Sequence, residues 1–228
     1  MVTRKKLKGN PFDEPTVAKN YEGWFETAPG MVIDREETEL IHSMIPEGNG
    51  ERLLDVGCGT GHFSRVMAAY GYGVYGLDMS IVMLKEAKKR SSGNFCRGDA
   101  HKLPHPDRSF YAASAFTLLE FIDNPQQILE EMIRVSQGFV IISFLNRWGG
   151  INVRRITRNL LGKRDVYSSA HFFGVGEMKR IVRKAAKLEK RVSKIQWGSA
   201  VGPAVLKRLF SKSRFDSFVI FVIHLNNL

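Results

Sequence analysis

Leu53-Leu54-Asp55-Val56 runs directly into Gly57-Cys58-Gly59-Thr60-Gly61, an apolar stretch followed by glycine at every second position. A loop without Cβ atoms lets a ligand approach the backbone, and the helix behind it offers unpaired N–H groups to an anion. Gly76-Leu77-Asp78-Met79-Ser80 then places a carboxylate at the end of a second apolar run. A carboxylate there can accept hydrogen bonds from both hydroxyls of a ribose. These residues suit a nucleotide-like ligand. The G-x-G-x-G spacing puts His62 where a dinucleotide fingerprint calls for a small third residue, which argues against NAD. Taken alone, the glycines also fit a tight strand-to-helix turn and Asp78 an ordinary N-cap.

The elements that must position these residues alternate. Glu51 to Val56 reads as a strand and His62 to Tyr70 as a helix; Gly73 to Leu77 follows as a strand and Ser80 to Arg90 as a helix capped by Ser80. Strands at Asn94 to Arg97, Phe110 to Phe116 and Phe139 to Leu145, with a helix over Pro125 to Val135, continue the pattern. Strand–helix alternation predicts a doubly wound, mostly parallel sheet covered on both faces. Ahead of it, Thr16 to Thr27 and Ile33 to Ile45 read as two short helices separated by a turn at Ala28-Pro29-Gly30. After Asn146 comes a basic stretch with Val153, Ile156, Leu160 and Leu161 at helical spacing, a candidate lid; its apolar side is expected to pack on the domain. A helix over Glu177 to Leu188 and strands over Arg191 to Trp197 and Asp216 to Leu225 complete the chain.

A third segment makes the pattern specific: Gly98-Asp99-Ala100-His101-Lys102-Leu103-Pro104-His105-Pro106-Asp107-Arg108-Ser109-Phe110, followed by Thr117-Leu118-Leu119-Glu120-Phe121. The order LDVGCGTG, GLDMS, GDAHKLPHPDRSF, TLLEFIDNP resembles the class I S-adenosylmethionine-dependent methyltransferases, in particular the small-molecule branch related to quinone-biosynthesis enzymes, from about Tyr21 to Asn146. The resemblance implies a seven-stranded Rossmann-like α/β fold with N-terminal helices and an inserted lid. It implies one domain of 228 residues: cap helices in 1–46, a cofactor-binding core in 51–145, the basic insert in 146–172 and a C-terminal helix and strands in 173–228.

It also implies roles. Gly57, Cys58, Gly59 and Gly61 would line the amino-acid part of S-adenosyl-L-methionine, with Asp55 supporting the loop. Asp78 would hold the ribose with Met79 beside the adenine, while Asp99 and the Ala100 backbone would meet the adenine edge. Phe116, Thr117 and Leu118 would border the sulfonium, Tyr21 would cover the site from the N-terminal helix, and the demethylated product would be S-adenosyl-L-homocysteine. Glu120, just after the fourth strand, is the candidate for orienting the acceptor or taking its proton. Where relatives carry Pro-Gly-Gly before the fifth strand, this chain has Ser136-Gln137-Gly138, a changed turn that touches no cofactor residue.

Composition narrows the acceptor. Residues 147–228 hold 18 Lys and Arg against 4 Asp and Glu, whereas the whole chain carries a net charge of +11. That asymmetry fits either a solvated basic face or an anionic partner, and the acceptor expected is a small molecule, anionic or lipid-like, or one met at a membrane surface; RNA-directed methylation and non-catalytic cofactor binding are the alternatives. No Asn/Asp-Pro-Pro-aromatic segment follows the fourth strand, as amino methylation of a nucleic-acid base would require. Two cysteines, Cys58 and Cys96, have neither disulfide nor zinc spacing, and no metal site is expected. Met1 to Lys8 is basic without an apolar core behind it, so a cytoplasmic location is expected.

Overall fold

A computed structural model describes residues 10–162, 165–188, 191–201 and 215–226; the basic leader, Lys163 and Arg164 of the insert lie outside them. The element order is α1 (Pro15–Phe25), α2 (Ala28–Met44), β1 (Arg52–Val56), α3 (His62–Ala69), β2 (Gly73–Asp78), α4 (Ile81–Arg90), β3 (Asn94–Arg97), β4 (Phe110–Ala115), α5 (Pro125–Val135), β5 (Ser136–Leu145), α6 (Gly150–Leu160), α7 (Val175–Leu188), β6 (Val192–Ala200) and β7 (Phe218–Leu225). Short 3-10 turns occupy Pro11–Asp13, Leu119–Phe121 and Val166–Ser169.

One sheet joins all seven strands in the order β3-β2-β1-β4-β5-β7-β6. The first five run parallel, and β7 is antiparallel to both β5 and β6. Because the chain winds outward from β1 to β3 and then returns to β4, the strand order reverses at β1. A crevice opens at the carboxyl ends of the strands at such a reversal, and the glycine loop follows β1 there.

The strands read as continuous apolar runs because both faces are covered. Val140, Ile142 and Phe144 of β5, with Val219, Phe221 and Ile223 of β7, face α5 and α7, where Ile128, Leu129, Met132, Met178 and Val182 are buried. The alternate residues Phe139, Ile141, Phe218, Ile220 and Val222 face the other way and pack with Ile41 of α2 and Phe63 and Met67 of α3.

Three local readings are corrected. Ala28-Pro29-Gly30 is not a turn between helices but the first turn of α2: Thr27 accepts a hydrogen bond from the Gly30 N–H at 3.1 Å, and proline is tolerated there because those N–H groups have no helical acceptor. Ser136-Gln137-Gly138 opens β5 rather than forming a separate turn; the Ser136 hydroxyl donates to the Met132 carbonyl at 2.7 Å and Gly138 lies against the Tyr111 ring. The amphipathic helix of the insert forms, as α6, but its apolar residues do not bury. Val153, Leu160 and Leu161 are exposed, and only Asn152 of the helix is buried, where its amide donates to the carbonyls of Asn146 and Ser217.

Candidate functional site

The loop after β1 is fixed from beneath. Gly57 and Cys58 both donate backbone N–H groups to the Leu77 carbonyl, at 2.7 and 3.1 Å, tying the loop to the end of β2. Asp55 is buried, and the hydroxyls of Ser64 and Ser114 donate to its two oxygens at 2.5 and 2.8 Å. Burial pushes its carboxyl up to about 6 against those two hydrogen bonds. Asp55 thus joins β1, α3 and β4 under the loop.

Gly59 has φ +54, and a Cβ added there would meet only the Met83 methyl at 3.9 Å, across open space. Its bare backbone forms a cradle in the wall of a cavity of about 470 Å³. Its N–H donates to Asp78 Oδ2 at 2.8 Å, and the Ser80 N–H donates to Oδ1 at 2.7 Å. Burial raises the Asp78 carboxyl while these backbone donors oppose the rise. A carboxylate accepts about four hydrogen bonds, so Asp78 retains capacity for two hydroxyls.

Asp99 is half exposed; the His101 backbone and ring both meet its Oδ1 at 2.9 Å, and the other ring nitrogen lies 2.6 Å from the Asp123 carbonyl. A carbonyl only accepts, so that nitrogen carries a proton. Burial opposes charge on the ring, but the Asp123 carbonyl and Asp99 outweigh it and raise the His101 pKa.

The same cavity is lined by Tyr21, Asp55, Gly57, Cys58, Gly59, Asp78, Met79, Asp99, Ala100, Phe116, Thr117 and Leu118. Two expected residues stand elsewhere. Gly61 turns away from the cavity, and its missing Cβ makes room for Phe95 and Ala87. Glu120 is fully buried outside the walls of both cavities: the Leu145 N–H donates to its Oε1 at 2.5 Å, and its own carbonyl accepts from His171 at 2.7 Å. The 3-10 turn after β4 rotates this side chain inward, so the structure gives it a bracing position between β5 and the segment after α6 rather than contact with an acceptor.

Sequence reasoning passed over other wall residues. Phe12 arrives on the N-terminal 3-10 turn, held by the Ser80 hydroxyl donating to its carbonyl at 2.8 Å and by edge-to-face contact with Phe121 at 4.8 Å. His62 stacks on Phe25 at 3.6 Å and lies 2.6 Å from Asp34, joining α3 to α1 and α2. His101 had one available signal, its position two residues after Asp99; Phe12 had none.

A methyltransferase-domain family matches residues 54–142, the segment from β1 to β5 that builds this cavity. That match covers less than half of the 228-residue chain, and over it the chain is similar to methyltransferase domains. The chain is 42% identical over 104 residues to a demethylmenaquinone methyltransferase of Renibacterium salmoninarum, covering 45% of this chain and 44% of that one. It is 30% identical over 113 residues to a malonyl-[acyl-carrier protein] O-methyltransferase of Pectobacterium atrosepticum, covering 49% and 45%. The matches thus span less than half the length of those two enzymes. A match to an uncharacterized Methanocaldococcus jannaschii protein is longer, 29% identical and covering 77% of this chain and 80% of that one. In fold, the chain superposes on a Thermotoga maritima structure described as an S-adenosylmethionine-dependent methyltransferase, "possible histamine N-methyltransferase", with a TM-score of 0.70 at 23% identity, over 92% and 97% of the two chains.

The cavity fits S-adenosylmethionine on its own features: the Gly59 cradle that a Cβ would fill, a partly buried carboxylate with hydrogen-bonding capacity at the end of β2, and apolar walls from Leu77, Met79 and Met83.

Proposed function

We propose that the protein transfers a methyl group from S-adenosylmethionine to a small-molecule acceptor, anionic or lipid-like, in the cytoplasm. The observation that carries this reading is the convergence of the Gly59 cradle and Asp78 on one cavity, joined by a backbone hydrogen bond of 2.8 Å. In this reading Gly57, Cys58 and Gly59 hold the amino-acid part, Asp78 the ribose hydroxyls and Asp99 with Ala100 the adenine edge. The cofactor, when bound, supplies an electrophilic methyl on a sulfonium. The chain's task is then to align a nucleophile with that methyl and to exclude water. Tyr21 of α1, Phe116, Thr117 and Tyr167 close the cavity toward the acceptor side.

Contact with a membrane surface is supported by α6. Trp148, Val153, Leu160 and Leu161 are exposed beside Arg154 and Arg158, the mixture that interfacial helices present to anionic headgroups. The test is incubation of the protein with methyl-labelled cofactor and separated small-molecule, lipid and RNA fractions. Label in the small-molecule or lipid fraction is the expected result; label confined to RNA would replace this reading with the nucleic-acid one.

A further inference from the structure

A second cavity, of about 330 Å³, opens between α1, α2, α6 and the 3-10 turn Val166–Ser169. It shares Tyr21, Phe63, Thr117 and Tyr167 with the first, so the two chambers meet at those four side chains. Its volume is at the lower end of the range for small-ligand pockets, roughly 300–1,000 Å³.

Two of its polar wall groups are ionisable, Glu37 and Arg155. Glu37 lies on the buried face of α2, in line with Ile41, and is only 8% exposed. Among the described residues no hydrogen-bond donor meets its carboxyl; its electrostatic neighbours are Asp34 and Glu36 on its own helix and Arg155 on α6, and it faces the hydroxyls of Tyr21 on α1 and Tyr167. Arg155 sits over the Tyr167 ring at 4.3 Å and donates to Asn152 at 3.2 Å. A buried carboxylate without a donor is costly, and an apolar residue of similar volume would remove that cost. The donor that would satisfy Glu37 has one open direction of approach, the cavity. Tyr21, Trp24, Phe25 and Tyr167 make much of the surrounding wall aromatic, a surface that attracts organic cations.

We propose that the second cavity binds the methyl acceptor and that this acceptor is an amine also carrying a carboxylate, with Glu37 holding the amine and Arg155 the acid. The proposal rests on the methyltransferase reading above. Glu37 takes one N–H proton from the bound ammonium and frees its lone pair. The nitrogen–carbon bond then forms as the carbon–sulfur bond of the sulfonium breaks, the electron pair staying on sulfur as a thioether, and the product leaves as a methylammonium. Burial pushes the Glu37 carboxyl up to about 8, with Asp34 adding to the rise and Arg155 opposing it, which brings it near the range where such proton exchange is balanced.

Three matched probes separate the anchors: tryptophan carries both charges, tryptamine lacks the acid and indole-3-propionate lacks the amine. Each is titrated by calorimetry into protein saturated with S-adenosylhomocysteine, using wild type, Glu37→Gln and Arg155→Met. Tryptophan is expected to bind tightest to wild type. Glu37→Gln should weaken tryptophan and tryptamine by at least about tenfold and leave indole-3-propionate nearly unchanged; Arg155→Met should weaken the two acids and spare tryptamine. Retained S-adenosylhomocysteine binding shows that each variant is folded. Equal losses across the three probes, or no binding of any probe to wild type that binds S-adenosylhomocysteine, would overturn the proposal alone. Failure of S-adenosylhomocysteine itself to bind would instead remove the underlying methyltransferase reading.

Discussion

Asp55, Glu37 and Glu120 are all buried, and burial raises each carboxyl, to about 6, 8 and 7 respectively. A carboxyl raised above its unfolded value binds its proton more tightly in the native state. The stability this contributes is complete below the ordinary carboxylate range and is lost as pH rises through the folded value. Melting temperature is therefore expected to fall between about pH 5 and about pH 8. Glu120→Gln should flatten part of that fall, because the amide oxygen can still accept from Leu145 and the neutral side chain no longer ionises. Thermal melts at the two ends of the range check this; an unchanged slope would contradict the buried position of Glu120. That position also shows what residue type alone conceals. An acidic residue just after a strand end looks catalytic in sequence, but the direction of its side chain is set by the 3-10 turn Leu119–Phe121, which leaves no pattern in the letters.

At the scale of elements, the glycine loop, the strand ends and α3 to α5 were legible because periodicity and turn residues are local properties. Asn94 to Arg97 and Pro125 to Val135 have the same bounds in sequence and structure. The N-terminal part was less legible because its arrangement depends on contacts distant in sequence. Glu22 of α1 is buried, and Arg65 of α3 donates to it at 2.9 Å, with Arg90 of α4 3.7 Å away. This contact holds α1, and with it Tyr21, over the cavity. Arg65→Met leaves a buried carboxylate with one fewer cationic partner, at a cost of roughly 1–3 kcal/mol given the partial exposure of the arginine. The expected outcome is earlier proteolytic cleavage near α1 and weaker S-adenosylhomocysteine binding, with the cleavage pattern of the sheet unchanged. Cleavage indistinguishable from wild type would separate α1 from this role. The exposed apolar side of α6 was likewise hidden from the sequence, because amphipathic spacing does not say whether the apolar side meets protein.

For the whole molecule, the strand order brings the glycine loop, Asp78 and Asp99 together at the carboxyl ends of the parallel strands, at the reversal beside β1. The helices α1, α2 and α6 and the 3-10 turn Val166–Ser169 line the second cavity, on the other side of the shared Tyr21, Phe63, Thr117 and Tyr167. This division explains why the cofactor class could be read from four short motifs, while Glu37, Arg155 and Tyr167, the groups of the proposed acceptor site, come together only in three dimensions. The most direct test is calorimetric titration of S-adenosylmethionine and S-adenosylhomocysteine into wild type, Asp78→Ala and Gly59→Val. Binding to wild type, weakened by about tenfold or more in Asp78→Ala and abolished in Gly59→Val, is the predicted result, since the first removes two hydroxyl acceptors and the second fills the cradle at a positive φ. A folded wild type that binds neither ligand, or variants that bind as well as wild type, would contradict the assignment of this cavity.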